Sequence, residues 1–366
     1  MHIQRVVLQN FRNIATADLE LASGINILYG ENAQGKTNFL ESIYFCATGR
    51  SHRASRFRDL VMLTKKEAAI KIEARSGSGT LDEMRMEIRP DGKFSVVNGL
   101  PIRKLGDLYG RLSVVLFSPE DLSLVKAGPA GRRRFLDMEL CQLYPAYYHD
   151  LRMYHKVLQQ RNNLLRDINR DDSLRETLEL WDEQLVEYGN KIMRARRAFV
   201  DRLGQIAAQN QHNITGGREV LEIIYDNDVD EDKFLEALRR KRGVDIMRGS
   251  TSAGIHRDDV GFVINGEDGR TFASQGQQRT AVLAVKLAEI EIVKQERGHP
   301  PVLLLDDVLS ELDKGRQNYL LNNIGDLQAV ITSTGAENAT SGFLGKGGAR
   351  VFGVENGVIV PREVLA

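Results

Sequence analysis

The stretch Ile25-Asn26-Ile27-Leu28-Tyr29-Gly30-Glu31-Asn32-Ala33-Gln34-Gly35-Lys36-Thr37 decides how the rest of the chain is read. An apolar run gives way to G-x-x-x-x-G-K-[ST], and a helical pattern begins near Thr37. A phosphate-binding loop needs that strand–loop–helix setting. Glycines at Gly30 and Gly35 let backbone N–H groups close around phosphate oxygens, with Glu31, Asn32, Ala33 and Gln34 forming the wall between them. The helix N-terminus adds partial positive charge. Lys36 is placed to reach the β- and γ-phosphates of a nucleoside triphosphate, and the Thr37 hydroxyl to ligate Mg2+. The bland alternative is a glycine-rich turn with a chance Lys-Thr, which the flanking pattern disfavours.

At 366 residues the chain has room for two domains, or for one domain with a large insertion. It is 42% hydrophobic and 27% charged, an ordinary soluble composition with apolar mass for a real core. Formal net charge is zero, so any polyanion must be met by local patches. Cys46 and Cys141 stand in apolar neighbourhoods without metal-ligand spacing and read as buried thiols of a reducing compartment. The N-terminus lacks a signal-peptide pattern, and no apolar run approaches the roughly 20 residues needed to span a bilayer. The expectation is a cytoplasmic protein without a membrane partner.

Residues 3–9 and 18–28 read as two strands ahead of the loop, and the loop helix extends to about Thr48. From Ala68 to Val97 apolar residues alternate, with turn signals at Ser76-Gly77-Ser78-Gly79 and Pro90-Asp91-Gly92. That pattern predicts an antiparallel meander. Val114–Phe117 reads as a short buried strand. Between about Tyr147 and Gln211 the period changes: Trp181, Leu185, Tyr188, Ile192, Ala195 and Phe199 form a heptad seam. Leu151, Tyr154, Leu158, Leu165 and Ile168 suggest its partner helix. Ser173 and Glu176 propose a capping box at the turn of this helical arm. An ordinary helical lid with a core stripe is the competing reading. Further on, Gly261–Ile264 and Arg270–Phe272 flank a turn, a long helix covers about Gln275–Glu296, and Pro301–Leu305 is a strand. A helix over Glu311–Asn323, the run Ala329–Thr332 and an Asn356-Gly357 hairpin complete the chain.

Pro301-Val302-Leu303-Leu304-Leu305-Asp306-Asp307 is a buried strand ending in two acids. A parallel strand covered on both faces is continuously apolar, and carboxylates at its C-terminal edge meet a ligand. Asp306 suits a hold on Mg2+, and Asp307 suits polarising an attacking water. Ser310-Glu311-Leu312-Asp313 follows directly, while Ser274-Gln275-Gly276-Gln277-Gln278-Arg279 opens the long helix upstream. A Ser-Gly pair can simply cap a helix. Its N–H groups and the Ser274 hydroxyl can also address the γ-phosphate of a second subunit. Loop, signature, acidic strand and Ser-Glu-Leu-Asp segment, in this order, describe an ABC-type ATPase head.

At this point the chain resembles the RecF family of bacterial recombination mediators, from the first strand to the terminal hairpin. The blocks that carry the resemblance are Gly30–Thr37 with Asn38, Phe117–Leu122 running on to Gly128 and Arg132–Asp137, Gly254–Asp259, Ser274–Arg279, and Leu305 through Asp313. The fold it implies is α/β: an ABC-type P-loop ATPase head, with a parallel core sheet and an antiparallel β-meander, carrying an inserted helical lobe or arm. The head would occupy 1–120 and 249–366, and the lobe 121–248. The resemblance also implies ATP and Mg2+ as cofactors, an ATP-dependent homodimer and DNA as partner. Weak, DNA-stimulated hydrolysis would serve as a switch, and the protein would work with RecR and RecO to help place RecA at gapped DNA. By position, Arg12 and Asn13 would lie near the adenine, and Gly30–Thr37 on the phosphates. Thr37 and Asp306 would hold the metal, and Asp307 would be the base. Ser274, Gly276 and Gln278 would form the trans signature, with Ser310 and Asp313 in the D-loop.

Some positions depart from the wider ABC pattern. Asp307 stands where most such ATPases carry Glu, and Thr332-Ser333-Thr334 where transporters have a switch histidine. No clear Q-loop glutamine precedes Ser118-Pro119, and Ile255 stands where many RecF sequences have Pro. Among the basic clusters, the stretch Arg50–Arg58 has no acid before Asp59. Arg50, Arg53 and Arg56 are therefore the candidates for neutralising DNA phosphates, with a solvated surface as the alternative. His256-Arg257-Asp258-Asp259 reads as a structural or interface network rather than a metal site, because the arginine opposes a cation. A transporter's nucleotide-binding subunit would need a shorter, less polar insert. A nuclease of the overcoming-lysogenisation type would need an acidic metal domain after Ala366.

Overall fold

The computed structural model describes residues 1–77, 79–121, 124–126, 128–325, 327–334 and 349–362. Ser78 of the first expected turn and Leu122 of the Phe117–Leu122 block lie outside them. The chain divides into two units, one of Met1–Leu122 with Val282–Ala366 and one of Ser123–Ala281.

The first unit opens with β1 (His2–Phe11), β2 (Ile14–Glu20), β3 (Ile25–Tyr29) and α1 (Lys36–Thr48). The expected single strand over 18–28 is thus two strands. Asn26, fully buried, turns its amide back to accept from Ala22 N at 2.7 Å and donate to Ala22 O at 2.9 Å. This tie bends the chain where the apolar pattern alone runs straight on. Next come β4 (Ala68–Arg75), β5 (Leu81–Arg89), β6 (Gly92–Val97), β7 (Leu100–Ile102) and β8 (Val114–Phe117). An antiparallel sheet of order β2-β1-β4-β5-β6-β7 contains the expected meander, extended by β7 through Asn98-Gly99, both at positive φ. Asn-Gly supplies the left-handed pair a tight hairpin needs. The inward residues Ile70, Ile72, Met84, Met86 and Ile88 share one core cluster with Phe39, Leu40 and Ile43 of α1.

The second unit contains α2 (Pro129–Leu143), α3 (Pro145–Ile168), α4 (Leu178–Thr215), β9 (Leu221–Asp226), α5 (Phe234–Arg248), β10 (Asp259–Ile264) and β11 (Glu267–Asp268). Helix α6 (Gln275–Arg297) begins here and runs across the boundary between the units. The helices α3 and α4 pack together as the expected hairpin, but alternate positions of the seam are displaced by one residue. Leu185, Ile192 and Phe199 are buried as read, whereas Asp182, Gly189 and Arg196 are buried in place of Trp181, Tyr188 and Ala195. Two of these carry charges whose partners lie elsewhere in the unit, so a pattern of apolar residues could not find them.

Other expectations for this unit also change. The capping box is absent: a 3-10 turn spans Asp172–Thr177, and Asp171 caps it by accepting from Ser173 N at 3.0 Å. Arg270–Phe272 is not a strand; β11 pairs with β10 through the Asn265-Gly266 turn, and the other neighbour of β10 is β9. Residues 249–281 belong with the helical unit rather than with the head. The pairing of β9 with β10 and the ion pairs of Asp258 with Arg196 and Asp259 with Arg132 hold them there.

The chain returns to the first unit with β12 (Val302–Asp306), α7 (Lys314–Asn323), β13 (Ala329–Ser333), β14 (Arg350–Glu355) and β15 (Val358–Arg362). The core sheet has the order β15-β14-β3-β13-β12-β8, parallel except for the β14–β15 hairpin. All of β12 is buried, as expected of a strand covered on both faces. The register sets Asp306 beside Thr332 and Ser333 beside Tyr29. The C-terminal ends of β12, β13 and β3 therefore form one edge, where ligands of open α/β sheets bind. Among the described residues no helix is long and apolar enough to cross a membrane.

Candidate nucleotide site

The loop between β3 and α1 depends on Gly35. At φ 123° an added Cβ would lie 2.9 Å from Asn13 Oδ1, so neither the backbone angle nor the space admits a side chain. Asn13 braces the loop, donating to Gln34 O at 3.0 Å and accepting from Asn38 Nδ2 at 2.8 Å. Gln34 also binds the turn of the β14–β15 hairpin, its carbonyl accepting from Gly357 N at 2.8 Å and its Oε1 from Asn356 N at 2.6 Å. Glu31, Asn32 and Ala33 are exposed at the loop crest, and Ala33 has φ 63°.

Lys36 is 6% exposed, and its ammonium donates to the carbonyls of Gly30 and Glu31, each at 2.6 Å. Burial lowers its pKa, opposed by Asp307 and Asp306. The Thr37 hydroxyl donates to Asp306 Oδ1 at 2.8 Å, and Thr332 Oγ1 donates to the same oxygen at 2.9 Å. Thr332 Oγ1 also accepts from Asp307 N at 2.9 Å. A single hydroxyl thus sets the angle between the two acids. Asp307 has φ 52°, a conformation that costs a non-glycine residue about 1 kcal/mol or more. Burial raises its pKa, with Asp306 and Glu311 adding to the rise and Ser310 and Lys36 opposing it. A carboxylate tuned upward in this way is better suited to accept a proton near neutral pH.

The remaining candidates separate. Arg12 is committed to fully buried Glu41, through two bonds of 2.9 Å, and to Asp59 O at 2.8 Å. Burial pushes the Glu41 pKa up, and bonds from Arg12 and Ser51 outweigh this and hold it low. Ser310 donates to Asp307 O at 2.7 Å, and Asp313 caps α7 by accepting from Arg316 N at 2.9 Å. In the second unit, Ser274 and Gln277 cap the start of α6 reciprocally: Ser274 N donates to Gln277 Oε1 and Gln277 N to Ser274 Oγ. Gln278, expected in the trans signature, instead turns inward. It is 3% exposed and donates to Gly269 O at 3.0 Å, so it is spent within its own unit, while Ser274 is exposed. Arg53 donates to Asn38 Oδ1 at 3.2 Å, while Arg50 and Arg56 are exposed and their guanidinium groups make no hydrogen bond or ion pair among the described residues.

The sequence pattern gives Thr332 no role and does not single out Glu41. Each has a signal in retrospect: Thr332 is the first polar residue near the C-terminal end of an apolar parallel strand, and Glu41 is an acid inside the apolar face of α1.

The donor set fits the expected cofactors. A hydroxyl and a carboxylate 2.8 Å apart are hard oxygen donors of the kind Mg2+ takes, alongside substrate phosphates. Lys36 donates to two carbonyls and to no carboxylate among the described residues, which leaves its ammonium without a counter-charge bonded to it.

A family model described as "RecF/RecN/SMC N terminal domain" matches residues 2–342. The DNA replication and repair protein RecF of Lachnoclostridium phytofermentans is 46% identical over 339 residues, covering 92% of this chain and 94% of that protein. The chain belongs to the RecF family. RecF of Lachnospira eligens is 45% identical over 363 residues, covering 98% of this chain and 99% of its own. Among solved structures, the recombination mediator RecF with ATP, of the RecFOR pathway, superposes with TM-score 0.93 at 34% identity, covering 99% of this chain and 98% of that one. An Smc head domain from Pyrococcus furiosus, at TM-score 0.57 and 14% identity, shares the fold. This RecF-family chain is thus built on an SMC-like ABC ATPase head.

Proposed function

We propose that the chain is an ATP-driven switch of DNA repair and replication, acting in the cytoplasm with RecR, RecO and RecA as the partners its family membership suggests. The observation that carries this reading is the junction of Thr37, Asp306, Thr332 and Asp307 beside the buried Lys36. Bound Mg2+ would supply positive charge to the terminal phosphates of ATP. Thr37 and Asp306 would hold it, Lys36 would neutralise phosphate charge, and Asp307 would accept a proton from water. Asp307 reaches less far than the Glu of most relatives of the fold, which supports slow turnover. Gly30–Thr37 would cradle the phosphates, with Asn13 and the outer face of Arg12 near the base. Ser274 and Gly276 would approach the nucleotide of a second copy in a head-to-head dimer, with Ser310 and Asp313 flanking that contact. Arg50, Arg53 and Arg56 would meet DNA phosphates. The bond from Arg53 to Asn38 favours a second reading for that residue alone, as a contact to nucleotide.

The test is Asp307→Asn. The variant is expected to bind ATP and self-associate while turnover falls about 10²–10⁴-fold, the usual worth of a general base. Unchanged steady-state turnover would place the base elsewhere. Ser274→Arg checks the dimer, since it should abolish ATP-dependent association in sedimentation while monomer ATP affinity stays.

A further inference from the structure

The nucleotide site leaves the block Gly254–Asp259 unused, yet almost every group in it is fastened. Gly254 has φ 124°, and an added Cβ would lie 2.6 Å from Tyr154 Oη and 2.7 Å from Phe234 Cζ, so only glycine can start this turn. Its N–H donates to Asp228 Oδ2 at 3.0 Å. The Ile255 carbonyl accepts from Arg196 Nη1 at 2.8 Å. His256 lies between the Tyr154 hydroxyl at 2.9 Å and the Thr251 carbonyl at 3.1 Å. A carbonyl can only accept, so Nε2 carries the proton and Nδ1 accepts from Tyr154. Asp258, 1% exposed, accepts from Arg196 at 2.9 Å, from Asp228 N at 3.1 Å and from Tyr225. Asp259 takes two bonds from Arg132, at 2.7 and 2.6 Å.

Arg257 sits in the middle of this frame and is exposed. Its backbone N–H is tied to Gly254 O at 2.9 Å. Its guanidinium makes no hydrogen bond or ion pair among the described residues. Arg133 reaches the same turn, donating to the Asp258 carbonyl, and has no carboxylate partner among the described residues. Both charges act on His256, whose pKa falls to about 4, first through burial and then through Arg257 and Arg133. An arginine on an open surface is ordinarily a solvated, mobile charge. This one stands on a backbone locked on both sides, which is how a binding group is pre-organised. The planar fork of a guanidinium matches two oxygens of a phosphate.

We propose that Arg257, with Arg133 bound to the same turn, is a binding site for a phosphate oxyanion. The proposal deepens the ATP- and DNA-dependent function above and rests on it for the source of the phosphate. That source is either the DNA backbone or the nucleotide held by a second copy.

Arg257→Gln in the full chain separates the two sources, with Arg257→Lys as the partial rescue. The guanidinium is exposed and makes no hydrogen bond or ion pair among the described residues, so melting temperature and monomer ATP affinity should match the wild type. On duplex DNA, the slope of log affinity against log salt should flatten by about 0.9 if the site takes one backbone phosphate. Without DNA, ATP-driven association should weaken at least tenfold if it takes the partner copy's nucleotide. A folded variant that changes neither overturns the proposal. Titrating the wild type with pyrophosphate, followed by the Arg257 Nε–H NMR signal, tests the site independently of both assumptions. An unmoved signal overturns it even if the chain neither associates nor binds DNA, an outcome that would by itself defeat the functional reading instead.

Discussion

The charges at the nucleotide edge of the first unit and those inside the helical unit are about equally hidden from solvent, and they are used in opposite ways. Lys36 and Asp306 are 6% and 4% exposed, and Arg161 and Arg196 are 0% and 1% exposed. Arg161 is answered by Asp182 at 2.6 Å and Asp245 at 2.9 Å, and Arg196 by Asp137 at 2.8 Å and Asp258 at 2.9 Å. Among the described residues Lys36 donates to carbonyls alone, and Asp307 is held at a strained angle with its pKa raised. Charges that meet their counter-charges inside a fold serve to hold it. Charges kept from theirs are available to a ligand, at some cost in stability.

Removing one member of each set should separate the two uses. Arg196→Ala leaves Asp137 and Asp258 without their cation, and breaking a buried pair in this way costs about 3–5 kcal/mol. Denaturant unfolding should show that loss, and a change below about 1 kcal/mol would mean that the network does not hold the helical unit. Lys36→Met should do the reverse. ATP affinity should fall by the ~2–5 kcal/mol typical of a desolvated charge contact, while unfolding stability holds or rises slightly. Calorimetric ATP binding at wild-type strength would break the comparison at its ligand side.

The smallest expected effect concerns pH. His256 in the folded chain takes up its proton near pH 4 instead of the ordinary 6.5, so between these values the unfolded chain binds more protons and stability falls as pH falls. The loss is at most about 3 kcal/mol once pH drops below the folded pKa, at 1.36 kcal/mol per unit. It is absent above pH 6.5. His256→Gln should remove this part of the acid dependence, and an unchanged pH profile would show that His256 is free to protonate in place.

The same contrast explains what could be read in advance. Gly30–Thr37 and Leu305–Asp307 are local: strand, loop and acid follow one another along the chain, and the chemistry of each is carried by adjacent residues. The structure places both at one edge of the parallel sheet. The helical arm was legible as helices but not in its seam, because Asp182 and Arg196 look like solvent-facing charges until Arg161, Asp137 and Asp258 are seen beside them. Gln278 reads as part of an exposed signature, and only its bond to Gly269 O shows it turned inward. The pairing of Arg12 with Glu41 was invisible for the same reason.

By itself, then, the sequence determined the head: the phosphate loop, the acidic strand, the meander and the family. Those features follow from short-range periodicity and from backbone demands that glycine, threonine and paired acids meet within a few residues. Only the tertiary structure decided where the helical unit ends, which face of α4 is buried, that Thr332 sets the angle between Asp306 and Asp307, and that the Arg257 guanidinium, in a locked turn, has no partner among the described residues. Each of these depends on a counter-charge or hydrogen-bond partner brought from a distant part of the chain, and a polar residue shows in sequence that it needs a partner without showing which one it finds.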